Sequence, residues 1–283
     1  MSARKSLLLI LLLLTAGVML VSCGSTPNYL DESGPRYTGA YGVEPANYDG
    51  APKIITWNIQ YAQDIDGAIE TLSTSPQLQE ADAILLQEMD ENGTEAIARA
   101  LHLNYVYYPA SVHVNTRRDF GEAILSPWPL TNDAKIILPH ESVRNGQIRI
   151  AVRAQVQTPH EPFLAYSVHT EMALMSPAHR IDQVKAMLDD VPDDAPFVII
   201  GGDFNTVTPI ERKALVDMMA EKEFVWLTEG AGASVKELGV GVIMDYIFAR
   251  GFSARRMGVV DSEASDHLPL WVETEKARFE VGK

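Results

Sequence analysis

The chain is poor in cysteine and in cations, and it lacks an apolar run long enough to cross a membrane. One cysteine, Cys23, stands among 283 residues. That excludes an internal disulfide, a C-x-x-C redox pair and a cysteine-based zinc site. Lysine and arginine number 23 against 38 acids, a net charge of −15. An undirected basic surface for nucleic acid is therefore not expected, although a local basic groove is compatible with this balance. The longest apolar stretch, Leu7 to Val21, falls short of the roughly 20 residues of a spanning helix. No G-x-S-x-G elbow accompanies Ser167 or Ser265, which argues against a serine nucleophile. No internal repeat is visible. What remains is an ordinary globular composition, 46% hydrophobic, long enough for one large domain.

The first residues read as an export signal. Arg4 and Lys5 precede the short apolar run, which ends Leu20-Val21-Ser22-Cys23-Gly24. This ending resembles a bacterial lipobox, in which the cysteine is acylated and becomes the first mature residue. We therefore expect a signal peptide over 1–22 and a lipid anchor at Cys23. Cleavage there takes away two of the 23 basic residues and none of the 38 acids, so the net charge moves from −15 to −17. Gly24 in place of an aspartate suggests the outer membrane or cell surface. Residues 23–50, rich in Gly, Ser, Pro, Asn and Tyr, read as a flexible tether with an r.m.s. span of roughly 30 Å. The body is expected over 51–275, followed by a tail, 276–283.

Within the body, strand-like and helix-like segments succeed each other. Strands are expected over Lys53–Ile59, Ala83–Leu86, Tyr105–Pro109, Glu122–Leu125, Ala134–Leu138, Ile148–Gln157, Phe163–Val168, Phe197–Ile200, Val242–Ala249, Arg255–Val260 and Leu268–Glu273. Asn145-Gly146 reads as a type I′ hairpin turn. Helices are expected over Ile65–Leu72 and Glu91–Leu101, from Ser176-Pro177 to about Leu188, and from the capping box Thr208-Pro209-Ile210-Glu211. Many strands with few amphipathic helices imply an α/β (α+β) domain, two packed sheets with helices outside.

The chemistry sits at strand ends. Asn58 closes the first strand and Glu88 the second. His169 ends Tyr166-Ser167-Val168-His169. Asp203 and Asn205 lie in Gly201-Gly202-Asp203-Phe204-Asn205. Asp245 stands in an apolar run, and Asp266-His267 precedes Leu268-Pro269. Each position alone has an ordinary explanation as a turn or a solvated strand end. Asp245 is the exception, because a buried carboxylate needs a partner. Together they bring Asn, Asp, Glu and His to strand ends without a Lys or Arg. Converging carboxylates repel unless a cation lies among them. Oxygen donors without thiolates favour Mg²⁺ or Mn²⁺ over zinc. Histidines add acid–base capacity near neutral pH. That set suits metal-assisted attack of water on a phosphoryl centre.

In this order, the motifs resemble the endonuclease/exonuclease/phosphatase superfamily, whose fold is like deoxyribonuclease I. The likeness runs from Trp57-Asn58 to Asp266-His267-Leu268-Pro269. It includes Gly121-Glu122-Ala123-Ile124-Leu125-Ser126, and Pro177-Ala178-His179-Arg180 with Gln183. The resemblance implies a four-layer α/β/β/α sandwich and a metal-dependent phosphoric ester hydrolase; the chain itself is expected to be a monomer. It implies Glu88 as main metal ligand, with Asn58 and Asp266 near the ion. Asp203 would activate the water and Asn205 would donate to a phosphate oxygen. His267, held by Asp245, would stabilise phosphoryl charge as an imidazolium, and His169 would contact the phosphate or assist the leaving group. The substrate is a phosphate ester of a phospholipid or sphingolipid, or of nucleic acid. The rival reading is a catalytically silent binding lipoprotein on the same fold.

Two departures bear on substrate. Met244-Asp245-Tyr246 replaces the Trp-Cys-Asp-Arg pattern of inositol polyphosphate 5-phosphatases, which argues against that branch. Glu122 stands where many relatives have asparagine. An acid there either disfavours highly anionic substrates or pairs with Arg117 or Arg118. Arg144 and Arg149 flank the expected hairpin turn, where one of them can face the site.

Overall fold

The computed structural model describes residues 26–173, 175–237 and 240–277. The expected signal peptide, Cys23 and residues 278–283 of the tail lie outside the described residues. The strands are β1 (Tyr37–Gly39), β2 (Lys53–Asn58), β3 (Ala83–Met89), β4 (Asn104–Val112), β5 (Asp119–Ser126), β6 (Leu130–Ile137), β7 (Ile150–Val156) and β8 (Phe163–His169). They continue as β9 (Val198–Asp203), β10 (Val225–Trp226), β11 (Val235–Glu237), β12 (Val240–Val242), β13 (Asp245–Arg250), β14 (Phe252–Val259) and β15 (Leu270–Lys276). The α-helices are α1 (Ile65–Thr74), α2 (Glu91–Ala100), α3 (Pro177–Asp190) and α4 (Pro209–Glu221). None of the described helices is long and apolar enough to cross a membrane.

One large sheet runs β1-β4-β5-β3-β2-β15-β14 and the other β10-β13-β9-β8-β7-β6, while β11 and β12 form a separate two-stranded ribbon. Most neighbours are antiparallel. The two parallel pairs, β2 with β3 and β8 with β9, lie one in each sheet. Each is a β-α-β unit, closed by α1 and α3 respectively, since a parallel pair needs a long crossover. The carboxyl ends of such strands are where ligands bind in α/β sheets. Here they end in Asn58, Met89, His169 and Asp203.

The strands of these units are apolar on both faces because both faces are covered. In β2, Ile54 joins the core between the sheets and Ile55 the core under α1 and α2. In β9, Ile199 points between the sheets while Val198 and Ile200 pack with Val184, Met187 and Leu188 of α3. These three cores make the four-layer α/β/β/α sandwich. The helices begin where their caps dictate. Asp90 accepts from Gly93 N at 2.7 Å to start α2, and Thr208 and Glu211 form the expected capping box of α4. Ser176 precedes Pro177 but makes no side-chain cap.

Three expectations are corrected. Residues 26–50 are not a free tether, because they lie along the body. Tyr37–Gly39 adds an edge strand to β4, and Arg36 pairs with Asp133. Polar composition hid this, since the segment binds through main-chain hydrogen bonds and isolated tyrosines, Tyr37, Tyr41 and Tyr48, rather than through a periodic apolar stripe. Asn145-Gly146 is not a type I′ hairpin. Gly146 has a positive φ of 69°, but Asn145 has not, and the loop spans 138–149 with Ser142 N bonded to Gln147 O. The strand expected from Val242 is broken before Asp245, where Ser234 Oγ accepts from Met244 N and Asp245 N.

Candidate active site

The two β-α-β units meet with their carboxyl ends together. Asn58 Nδ2 reaches across the gap, donating to Glu88 Oε1 at 3.1 Å and to Asp203 Oδ2 at 3.2 Å. Its Oδ1 accepts from Gln60 N at 3.0 Å, which fixes this orientation. Asn58 therefore turns its N–H groups, not its oxygen, toward the carboxylates. Glu88 sits at a bulge in β3 with φ 60°, a left-handed conformation uncommon outside glycine. The bulge re-aims its carboxylate, and Tyr61 N donates to Oε2 at 3.1 Å.

Asp203 ends β9 directly opposite Asp245 of β13 and beside His169 of β8. Its Oδ1 accepts from Asn205 N at 2.8 Å. Its Oδ2 faces His169 Nε2 at 3.5 Å and His267 Nε2 at 3.7 Å. The other nitrogen of His267, Nδ1, lies 2.8 Å from Asp245 Oδ2. The His267 segment is tied to the first strand. Trp57 Nε1 donates to His267 O, and Ser265 Oγ donates to Asn58 O. Asn205 gives Nδ2 to Thr170 O and accepts from Ala173 N. Asp266 is exposed at the edge, its Oδ1 accepting from Ser265 Oγ at 3.3 Å.

Burial and charge set the protonation. Burial pushes Asp203 up to about 7, opposed by the His267 cation and reinforced by Asp245. Burial disfavours the His267 cation, but Asp245 and Asp203 together outweigh it and hold the imidazole at about 10. The pair is thus read as imidazolium beside carboxylate. Glu88 is raised, chiefly by burial. His169 is held well below its usual range by burial and by the neighbouring Arg149. Arg149 Nη1 approaches His169 Nδ1 at 3.2 Å. An arginine can only donate, so Nδ1 accepts and the proton of neutral His169 is on Nε2, aimed at Asp203.

Beneath His169 is a residue the sequence left open. Glu122 is fully buried, with Oε1 3.9 Å from His169 Nδ1 and neither oxygen hydrogen-bonded. It faces His169 and Arg149 rather than Arg117 or Arg118, and burial raises its pKa well above the usual carboxylate range. Arg118 is engaged elsewhere, by Asp90 at 2.6 Å and by the carbonyls of Tyr61 and Ala62. Of the two arginines flanking the loop, Arg149 is the one inside. Gln87 and Ser167 form a further unforeseen tie. Gln87 Nε2 donates to Ser167 Oγ at 2.9 Å, joining the sheets under the site.

The glycine before Asp203 keeps β8 and β9 this close. A Cβ on Gly202 would lie 1.9 Å from Val168 O. Gly202→Ala should therefore push His169 and Asp203 apart and cost about 1–3 kcal/mol or more. Thermal unfolding and turnover should fall together, and an unchanged Tm would contradict this packing.

The residues fit a hard cation. Glu88, Asp203, Asp245 and Glu122 crowd one buried volume around Arg149 and His267, and Asp245 Oδ1 and both Glu122 oxygens lack hydrogen-bond partners. Among the described residues, Asp203, Asp245 and His267 bring ligand-capable atoms within 4.8 Å of one another. This group could hold an ion, but its His267 Nδ1 already engages Asp245. Glu88 is instead open toward the mouth, which favours it as the principal oxygen donor.

Two β-α-β units bring together carboxylates, an imidazolium–carboxylate pair and a neutral histidine, groups able to serve water attack on a phosphoryl centre. Residues 55–267 match the Endonuclease/Exonuclease/phosphatase family, and the chain belongs to it. Solved structures agree on the fold. An endonuclease/exonuclease/phosphatase from Beutenbergia cavernae superposes with a TM-score of 0.66 at 18% identity, over 82% of this chain and 73% of that one. A mannosyl-6-phosphatase from Bacteroides thetaiotaomicron gives 0.63 at 16% identity, over 79% and 99%. D. rerio TDP2 complexed with single strand DNA product gives 0.61 at 16%, over 81% and 100%. A search of curated proteins by sequence finds no match.

Proposed function

We propose that this chain is a Mg²⁺-dependent phosphodiesterase or phosphomonoesterase, Mn²⁺ being the alternative ion, exported and held at the outer membrane or cell surface through a lipid on Cys23. The observation that carries the chemistry is the Asp203–His267–Asp245 line, with Asn58 spanning Glu88 and Asp203. Glu88 would hold the cation, with Asp266 beside it and Asn58 steering the carboxylate. The bound cation supplies positive charge to the phosphoryl oxygens. Asp203 takes the proton of the attacking water. His267, kept protonated by Asp245, stabilises the charge that grows on the phosphoryl group. His169 offers its Nε2 proton toward the same space. Asn205 lies within reach of a phosphate oxygen only if Nδ2 leaves Thr170 O. The substrate is a lipid or nucleic-acid phosphate ester, and the chain acts as a monomer.

The test is hydrolysis of a chromogenic phosphodiester by the full chain. EDTA should abolish turnover and Mg²⁺ restore it. Glu88→Gln should raise the Mg²⁺ needed for half-activity about tenfold or more, removing roughly 1.4 kcal/mol of ion affinity. Undiminished turnover in EDTA would sink the metal assignment. A folded chain silent on diesters, monoesters, DNA and phospholipids would favour a binding lipoprotein.

A further inference from the structure

We infer that the catalytic mouth is held against the bilayer and takes its phosphate ester from the lipid headgroup layer. The inference rests on acylation of Cys23 and on the hydrolase reading above. Its new element is the docking of residues 26–29.

Thr26 N and Oγ1 donate to Asn145 O at 3.4 and 3.0 Å. Asn28 Nδ2 donates to Gly146 O at 2.7 Å, and its Oδ1 accepts from Ile148 N at 3.2 Å. Val112 N donates to Pro27 O, and Tyr29 N to Ala110 O. These contacts fasten the chain to the loop at the mouth. Arg144, one residue before Asn145, lies close enough to influence the phenol of Tyr61, whose backbone N holds Glu88. Arg149, the last residue of the loop, touches His169.

Two residues, Gly24 and Ser25, separate Cys23 from this anchorage, three Cα–Cα steps in all. Fully extended, they reach about 10 Å. The free tether implied by composition would have let the body turn in any direction. A leash this short, fixed at the mouth, leaves one orientation.

The mouth is dressed for that position. Val143 is 78% exposed in the same loop, and Ile210 is 83% exposed in the first turn of α4, just after Asn205. They are the two most exposed large apolar side chains among the described residues. Met172 and Met175, half-buried, follow β8 on the same rim, where Arg180 Nη1 donates to both their carbonyls and Nη2 to Glu211 Oε1. Single exposed apolar residues are ordinary. Two around one mouth, one on a loop and one on the first turn of a helix, beside the anchor, form a shallow membrane contact. Glu141 and Arg144 give the exposed part of the loop one charge of each sign, Arg149 being buried. With a mature charge of −17, that suits a zwitterionic headgroup layer rather than a strongly anionic one. It also disfavours a nucleic-acid backbone, which needs clustered cations.

The full acylated chain is reconstituted in phosphatidylcholine–sphingomyelin vesicles carrying a nitroxide lipid. With Cys23 acylated, Val143→Cys supplies one thiol for an environment-sensitive dye. Val43→Cys, at the opposite pole among Asp49, His102 and Arg255, is the control. Dye at 143 should be quenched at least threefold more than dye at 43. A chain that does not sediment with vesicles would refute acylation, and the inference with it. A sedimenting chain with equal quenching at both positions would refute the orientation alone. The double variant Val143→Asp, Ile210→Asp should keep turnover of a water-soluble diester within twofold and lose at least tenfold on vesicle lipid. Equal effects on the two substrates, or no vesicle-lipid turnover by the parent while the soluble diester is cleaved, would overturn the lipid substrate.

Discussion

Asp203→Asn is expected to lower kcat by about 10²–10⁴-fold, the range for losing a positioned general base. The amide retains an oxygen for Asn205 N but replaces Oδ2, the atom that faces Asn58 Nδ2, His169 Nε2 and His267 Nε2. It cannot take a proton from water, and its N–H groups oppose the donor of Asn58. Stability should move the other way. Burial raises Asp203 to about 7 from an ordinary 3.8. A carboxyl raised in the fold contributes stability below the unfolded pKa, and that contribution is lost as pH rises through the folded one. At pH 8 in EDTA, ionised Asp203 is therefore a cost. The variant's Tm should equal or exceed the parent's there, and the difference should vanish near pH 4. Measuring kcat and Tm on one preparation separates the cases. Near-normal turnover would remove Asp203 from the role of base, and a collapsed Tm would make its role structural.

The second large effect is at Asp245. Asp245→Asn should reduce kcat at pH 8 by about 10²–10³-fold, as for losing a preorganised charge donor. The cause is the protonation of His267. Burial alone disfavours its cation, and the bond to Asp245 Oδ2 is the main force raising it to about 10. Without that carboxylate, the alkaline limb of the pH–rate profile should fall by about 1–3 pH units. The linkage sign is fixed. A histidine raised in the fold lends stability that is complete below 6.5 and lost as pH rises through about 10. The Tm deficit of the variant should hence be largest below pH 6.5 and shrink toward pH 10. Titrating His267 by NMR gives the check. A limb that stays in place would mean that the imidazolium is not the acid the reaction needs.

Strand ends and helix starts are readable along the chain. Apolar runs that end abruptly in Asn58, Glu88, His169 and Asp203 mark strands leaving a core. The Thr208 box and Pro177 mark where helices begin. Such signals are local, because a strand's burial and a helix's cap depend on residues a few positions away. The list of reactive groups and the layered architecture followed from them. Asp90, which caps α2 and also holds Arg118, was equally local and could have been found from the capping pattern.

The fold alone decided partnership. Glu122, Arg149 and His169 come from β5, the loop before β7 and the end of β8, and nothing in their spacing pairs them. The positive φ of Glu88, the Gln87–Ser167 tie between sheets and the close pass of Gly202 over Val168 are of the same kind. So is the docking of residues 26–29, whose polar sequence reads as a free linker until a loop more than a hundred residues away supplies its hydrogen bonds. Sequence determined which groups stand at strand ends, since that is set by short-range hydrophobic periodicity. Tertiary structure determined which of them meet and which way the mouth faces, since main-chain hydrogen bonds and sheet register carry no side-chain pattern of their own.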